Sequence, residues 1–153
     1  DTLEVEIYMK QKTRDLLFEL TVKEGDPDRI SNITGTLSGI AGSFDLSSQR
    51  IYGEAMNTSF PFARTNDKIT AHTRLLGTTG LKQSLRIDLT FTDGSSQTIE
   101  NDLTDLLKNF NDDMPTPMYI TGDLLTPIEA DMTATIVGWE NGNEENGENI
   151  EIY

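Results

Sequence analysis

A strict two-residue alternation runs from Leu85 to Phe91: Leu85, Ile87, Leu89 and Phe91 are apolar, and Arg86, Asp88 and Thr90 between them are polar. That period puts one set of side chains on a buried face and the other in water, which is the geometry of a β-strand. The run stops at Thr92-Asp93-Gly94-Ser95, where Asp-Gly tolerates the positive φ of a tight hairpin, and Ser96 to Glu100 supplies a short polar returning arm. Beyond it, Leu103, Leu106, Leu107 and Phe110 fall at i, i+3, i+4 and i+7. With Asn101 or Asp102 as cap, this spacing predicts a short helix from Asp102 to about Phe110 lying over the hairpin.

The same period recurs along the chain. Leu3, Val5, Ile7 and Met9 form a first expected strand, and Leu16, Phe18, Leu20 and Val22 a second, antiparallel to it. Asp26 precedes Pro27, a residue suited to the first helical position, so one helical turn is expected to about Ser31. Gly35, Gly39 and Gly42 recur from Asn32 to Ala55 without the spacing of a phosphate-binding loop. They read as permission for a bulge, a bend or a close backbone approach in a hairpin with Ser47-Ser48 at its turn. Thr58, Phe60 and Phe62 alternate again, and Pro61, which lacks an amide donor, marks an edge strand. Asn66-Asp67 is the next turn, followed by a strand with Ile69, Ala71, Thr73 and Leu75 on one face. Met118 to Thr121 is expected as a brief strand, Leu124 to Ile128 as a crossover, and Met132 to Trp139 as the last full strand. Residues 1–139 then form one domain. Glu140 to Asn149 holds only Glu, Asn and Gly and reads as a flexible acidic linker. It leads to Ile150-Glu151-Ile152-Tyr153, whose isoleucines share one face if extended.

At 153 residues the chain is long enough to bury roughly 70% of its unfolded surface without cross-links. Cysteine is absent, which removes disulfide and thiolate-metal chemistry. Twelve Lys and Arg against 26 Asp and Glu give a formal charge of -14, which repels nucleic-acid phosphates and anionic lipid headgroups. No apolar run approaches a transmembrane length, and Asp1-Thr2-Leu3 has neither the basic start nor the apolar middle of a signal peptide. Asp1 therefore reads as a processed or truncated end.

No residue set argues for catalysis. His72 is the sole histidine, and between Ala71 and Thr73 on a strand it reads as a packed or surface residue. No serine stands in a G-x-S-x-G turn. The acidic pairs Asp26/Asp28, Asp112/Asp113 and Glu144/Glu145 fit no calcium loop and read as solvated charge, which leaves a carboxylate-based hydrolase remote. No cofactor or metal is expected. Trp139 admits two readings, a core or interface side chain and a platform for a sugar face. The terminal Ile150, Ile152 and Tyr153 are candidate partner-binding residues, because a tethered alternating segment can add to an exposed sheet edge.

Thr34-Gly35-Thr36-Leu37-Ser38-Gly39-Ile40-Ala41-Gly42-Ser43-Phe44-Asp45-Leu46, with Gly53-Glu54-Ala55, Phe60-Pro61-Phe62, Leu85 to Gly94, Leu103-Thr104-Asp105 and Gly138-Trp139, resembles a known pattern. It is that of the C-terminal domain of fimbrillin-related lipoproteins of Bacteroidia, above all the minor, anchoring fimbrial subunit, and the match runs from about Asn32 to Trp139. The resemblance implies a transthyretin-like β-sandwich, export as a lipoprotein, display at the outer membrane, and a part in adhesion or fimbrial assembly. The family's lipidated Cys has no counterpart in this chain. Strand exchange between family subunits would give the Ile150 to Tyr153 segment a purpose.

The expectation is thus an all-β antiparallel sandwich with one short helix, acting without catalysis by contact with fimbrial or other surface proteins. A host or glycan ligand is a further possible partner. The alternative is a secreted carbohydrate-binding module using Trp139 and exposed aromatics such as Tyr8.

Overall fold

The computed structural model describes residues 13–45, 50–112, 116–126 and 133–142. Nine strands make two sheets: β1 (Arg14–Glu24), β2 (Ile30–Asp45), β3 (Arg50–Pro61), β4 (Ala63–Thr65), β5 (Lys68–Leu75), β6 (Ser84–Phe91), β7 (Ser96–Asp102), β8 (Met118–Leu125) and β9 (Thr135–Asn141). One sheet has the order β4-β5-β1-β8-β9 and the other β3-β2-β6-β7. The alternation read in β6 is literal: Leu85, Ile87, Leu89 and Phe91 are buried, and β6 pairs antiparallel with β7 across the expected turn.

Leu16, Phe18 and Leu20 of β1 and Ile120 and Leu124 of β8 meet Ile33 and Leu37 of β2 and Ile87 and Leu89 of β6 in one apolar core between the sheets. Each such side chain contributes about 1.5–3 kcal/mol relative to leaving it in water. The Phe18 and Phe60 rings stack at 5.7 Å, and Phe62 lies 5.7 Å from Phe60 and 6.1 Å from Phe18. Phe62 stands where the chain leaves β3 for β4, so this triplet joins the sheets at a crossing. Gly35 makes room for it, since a Cβ there would lie 2.8 Å from both the Phe60 and Phe62 rings. Pro61 is exposed on β3, which is indeed an edge strand.

Several expectations change. The segment after β7 is not a helix. Residues 104–111 form consecutive turns, and the helical structure described is the single 3-10 turn Pro27–Arg29, capped by Asp26. Leu107 N–H donates to Leu103 C=O as in an α-helix, but Lys108, Phe110 and Asp112 each bond three residues back. The buried face is nevertheless the expected one, with Leu103, Leu107 and Phe110 inside. The sandwich is also not purely antiparallel, because β1 runs parallel to β8 from Leu16↔Met118 onward. Leu124 and Leu125 extend β8 and do not begin a crossover. Leu17, out of period, is buried on the outer face of its sheet; β1 is a central strand, and the ladder neighbours of Leu17 are His72 and Tyr119. The expected strand from Leu3 to Met9 lies outside the described residues, as do its pairing and the Ile150 to Tyr153 segment.

Candidate functional site

His72 sits on β5 with its Nε2 3.0 Å from Asp15 Oδ1, and Arg74 donates through Nε to the same oxygen at 2.9 Å. Partial burial pushes the Asp15 carboxyl up, but the hydrogen bonds from Arg74 and His72 outweigh it and hold the group below the ordinary carboxylate range. Asp15 and Arg74 face each other across the β1–β5 ladder, so the cluster ties two strands together. No nucleophile completes a relay within this cluster.

The other acids have structural work of the same kind. Asp26 accepts from the Asp28 amide, and Asp28 pairs with Arg64 at 3.3 Å. Asp102, the expected cap, accepts from the Thr104 hydroxyl and amide, which together hold its carboxyl below the usual range. Asp93 does the same for Ser95 in the hairpin turn. Among the described residues no group of three or more His, Asp or Glu is disposed to hold a metal ion.

Arg14 was not singled out by any sequence pattern, yet it closes one end of the sandwich. Its guanidinium donates to the carbonyls of Thr116 (2.8 Å), Asn109 (3.2 Å) and Phe110 (3.0 Å) and lies over the Phe110 ring. Burial lowers its pKa, partly opposed by Asp112. Nearby, the crossover of residues 76–83 is pinned to β2: Thr79 N–H donates to Gly39 C=O, Ala41 N–H to Gly77 C=O, and buried Gln83 reaches the Gly39 and Thr79 carbonyls. Asn111 holds Thr78 from the other side by a pair of 2.8 Å bonds. An open groove of about 460 Å³ lies beside this crossover, lined by Leu81, Lys82, Asp102, Thr104 and Asp105, with Leu81 98% exposed.

Trp139 is half-buried and packed on the core, its ring edge against Gly122, and its Nε1 is buried. That is the core reading of this residue, and the indole is not a free sugar platform. Tyr8 and the candidate residues Ile150, Ile152 and Tyr153 lie outside the described residues. The structure therefore brings together polar clusters that brace strands and turns, and it leaves open the outer strands of both sheets.

A two-sheet β-sandwich whose charged clusters hold its own strands belongs among surface and assembly modules by architecture. The chain belongs to the family of fimbrillin-A associated anchor proteins Mfa1 and Mfa2, whose model matches residues 1–145. Among solved structures, the fimbrial anchor protein Mfa2 from Porphyromonas gingivalis superposes with a TM-score of 0.56 at 15% identity, over 85% of this chain and 46% of that one. A candidate adhesin from Bacteroides ovatus gives 0.55 at 12% identity, over 84% of this chain and 49% of that one. The chain thus spans about half the length of these structures. No curated protein matches it. The resemblance read in the sequence agrees with this family, and the superpositions confirm the sandwich.

Proposed function

We propose that this chain is a non-enzymatic fimbrial assembly or anchoring domain at the cell surface, working through contacts with other protein subunits. The family match over residues 1–145 carries the reading. The geometry is consistent with it: the ionisable groups at Asp15, Asp26, Asp93 and Asp102 are engaged in bracing the fold. Export as a lipoprotein and display at the outer membrane complete the proposal. The test is fractionation of cells expressing the whole protein: it should co-purify with fimbriae and be reached by surface-applied antibody. Absence from the fimbrial fraction overturns the reading.

Within that function, the Ile150 to Tyr153 segment is the donor in a contact with a neighbouring subunit. Deleting Asn149 to Tyr153 should leave the melting curve unchanged and weaken association with fimbrial subunits at least about tenfold, a change of roughly 1.4 kcal/mol. Unchanged association rules the segment out.

A further inference from the structure

The four outer strands of the two sheets differ in how they are guarded. An unpaired strand edge is a template for pairing, and folded proteins block it with charges, prolines, bulges or brevity. β4 has three residues, including Arg64. β7 carries Glu100 and Asp102, and its Gln97 side chain accepts from the Ala134 amide. β9 carries Glu140 and is bent by Gly138 at φ +68, where its register with β8 shifts. β3 is twelve residues long, and from Ala55 to Phe60 it holds no charge and no proline.

The direction of its backbone groups follows from the ladder. Phe62 donates its amide to Ile33 C=O at 3.0 Å, and the pairing of Thr34 with Pro61 makes these two direct partners. In an antiparallel ladder bonded and non-bonded pairs alternate, so Phe60 and Thr58 turn toward β2 while Pro61, Ser59 and Asn57 turn outward. The Thr36 and Ser59 hydroxyls, 3.0 Å apart, fit the closer spacing of a non-bonded pair. Pro61 stands where its missing N–H is not needed and ends the open row. Beside that row, Met56 is 55% exposed, an adaptable apolar contact.

We infer that the Ala55 to Ser59 edge of β3 receives an extended, non-acidic segment of a different protein, which adds to the sheet as a further strand. The inference rests on the reading of this domain as a contact module and names the surface and the chemistry of its partner. A second copy of the chain is the wrong occupant, because each copy carries a formal charge of -14.

The test uses the whole chain and a short synthetic peptide alternating valine with lysine. Binding should slow amide hydrogen exchange at Asn57 and Ser59 at least about tenfold and leave Thr58, already bonded within the sheet, unchanged. A peptide alternating valine with glutamate should bind at least about tenfold more weakly. The double variant Asn57→Pro/Ser59→Pro removes only outward N–H groups, so it should keep the fold and lose the peptide. If that variant does not fold, Met56→Lys tests the same edge by guarding it with a charge. No protection at Asn57 and Ser59, binding that survives these substitutions, or sedimentation as a dimer through this edge overturns the inference. Fimbrial co-purification separates the two readings: an intact fimbrial association with an edge that binds no strand rejects the edge alone, and loss of that association rejects the function itself.

Discussion

Arg14 shows how much of the fold one side chain can organise. Its three carbonyl acceptors belong to the turns after β7 and to the approach to β8, so it joins two segments that no ladder connects. Arg14→Ala should cost on the order of 2–4 kcal/mol in urea unfolding, since it strands buried carbonyls as well as removing a cation from Phe110. Arg14→Lys should recover only part, because an ammonium does not reproduce the planar fork. Asp15 gives a pH-dependence with a definite sign. Its folded pKa lies below the ordinary value of about 3.9, so in that window the unfolded chain binds more protons. Its stabilisation is present above the ordinary value and is lost as pH falls through the folded pKa. Asp15→Asn should therefore flatten the acid limb of stability measured by urea titration below about pH 4; an unchanged slope would show that the cluster does not contribute.

At the scale of elements, positive φ alone does not decide what a glycine is for. Gly39 at φ +71 is the bulge in β2, and a Cβ there would lie 2.4 Å from the Lys82 carbonyl. Gly94 has a similar φ of +88 in the β6–β7 turn, with open space around it. Gly39→Ala should thus destabilise by more than about 2 kcal/mol and loosen the crossover, whereas Gly94→Ala should cost only about 1 kcal/mol of backbone strain. Comparing the two denaturation midpoints checks this, and equal losses would mean that the packing of the crossover is irrelevant. The segment after β7 carries a second lesson. Its apolar spacing is helical, yet Thr104, Asp105, Asn109 and Asn111 compete for backbone groups, and so short a helix has a costly nucleus. Arg14 and Asn111 then fix a series of turns that buries the same leucines.

At the scale of the whole molecule, β1 and β8 are about a hundred residues apart in sequence and lie side by side in one sheet. Neither sheet can close early from local pairing alone, so the chain should unfold in one cooperative step and refold in milliseconds to seconds. Matching transitions by circular dichroism and Trp139 fluorescence would confirm this; separated midpoints would mean that the sheets melt independently.

The alternation in β1, β5, β6 and β9, the turns at Asn66-Asp67 and Asp93-Gly94 and the edge marked by Pro61 were all legible in the residues. Each is a local matter of side-chain period or backbone freedom. The parallel β1–β8 pairing, the Arg14 clamp and the sharing of Asp15 between His72 and Arg74 had no local signal, since each joins residues distant in sequence. The same holds for the open β3 edge: the lack of charge from Ala55 to Phe60 is written in the sequence, but which strand lies outermost is a property of the assembled sheet. Local sterics and burial set what each segment became, and long-range packing alone set which segments met.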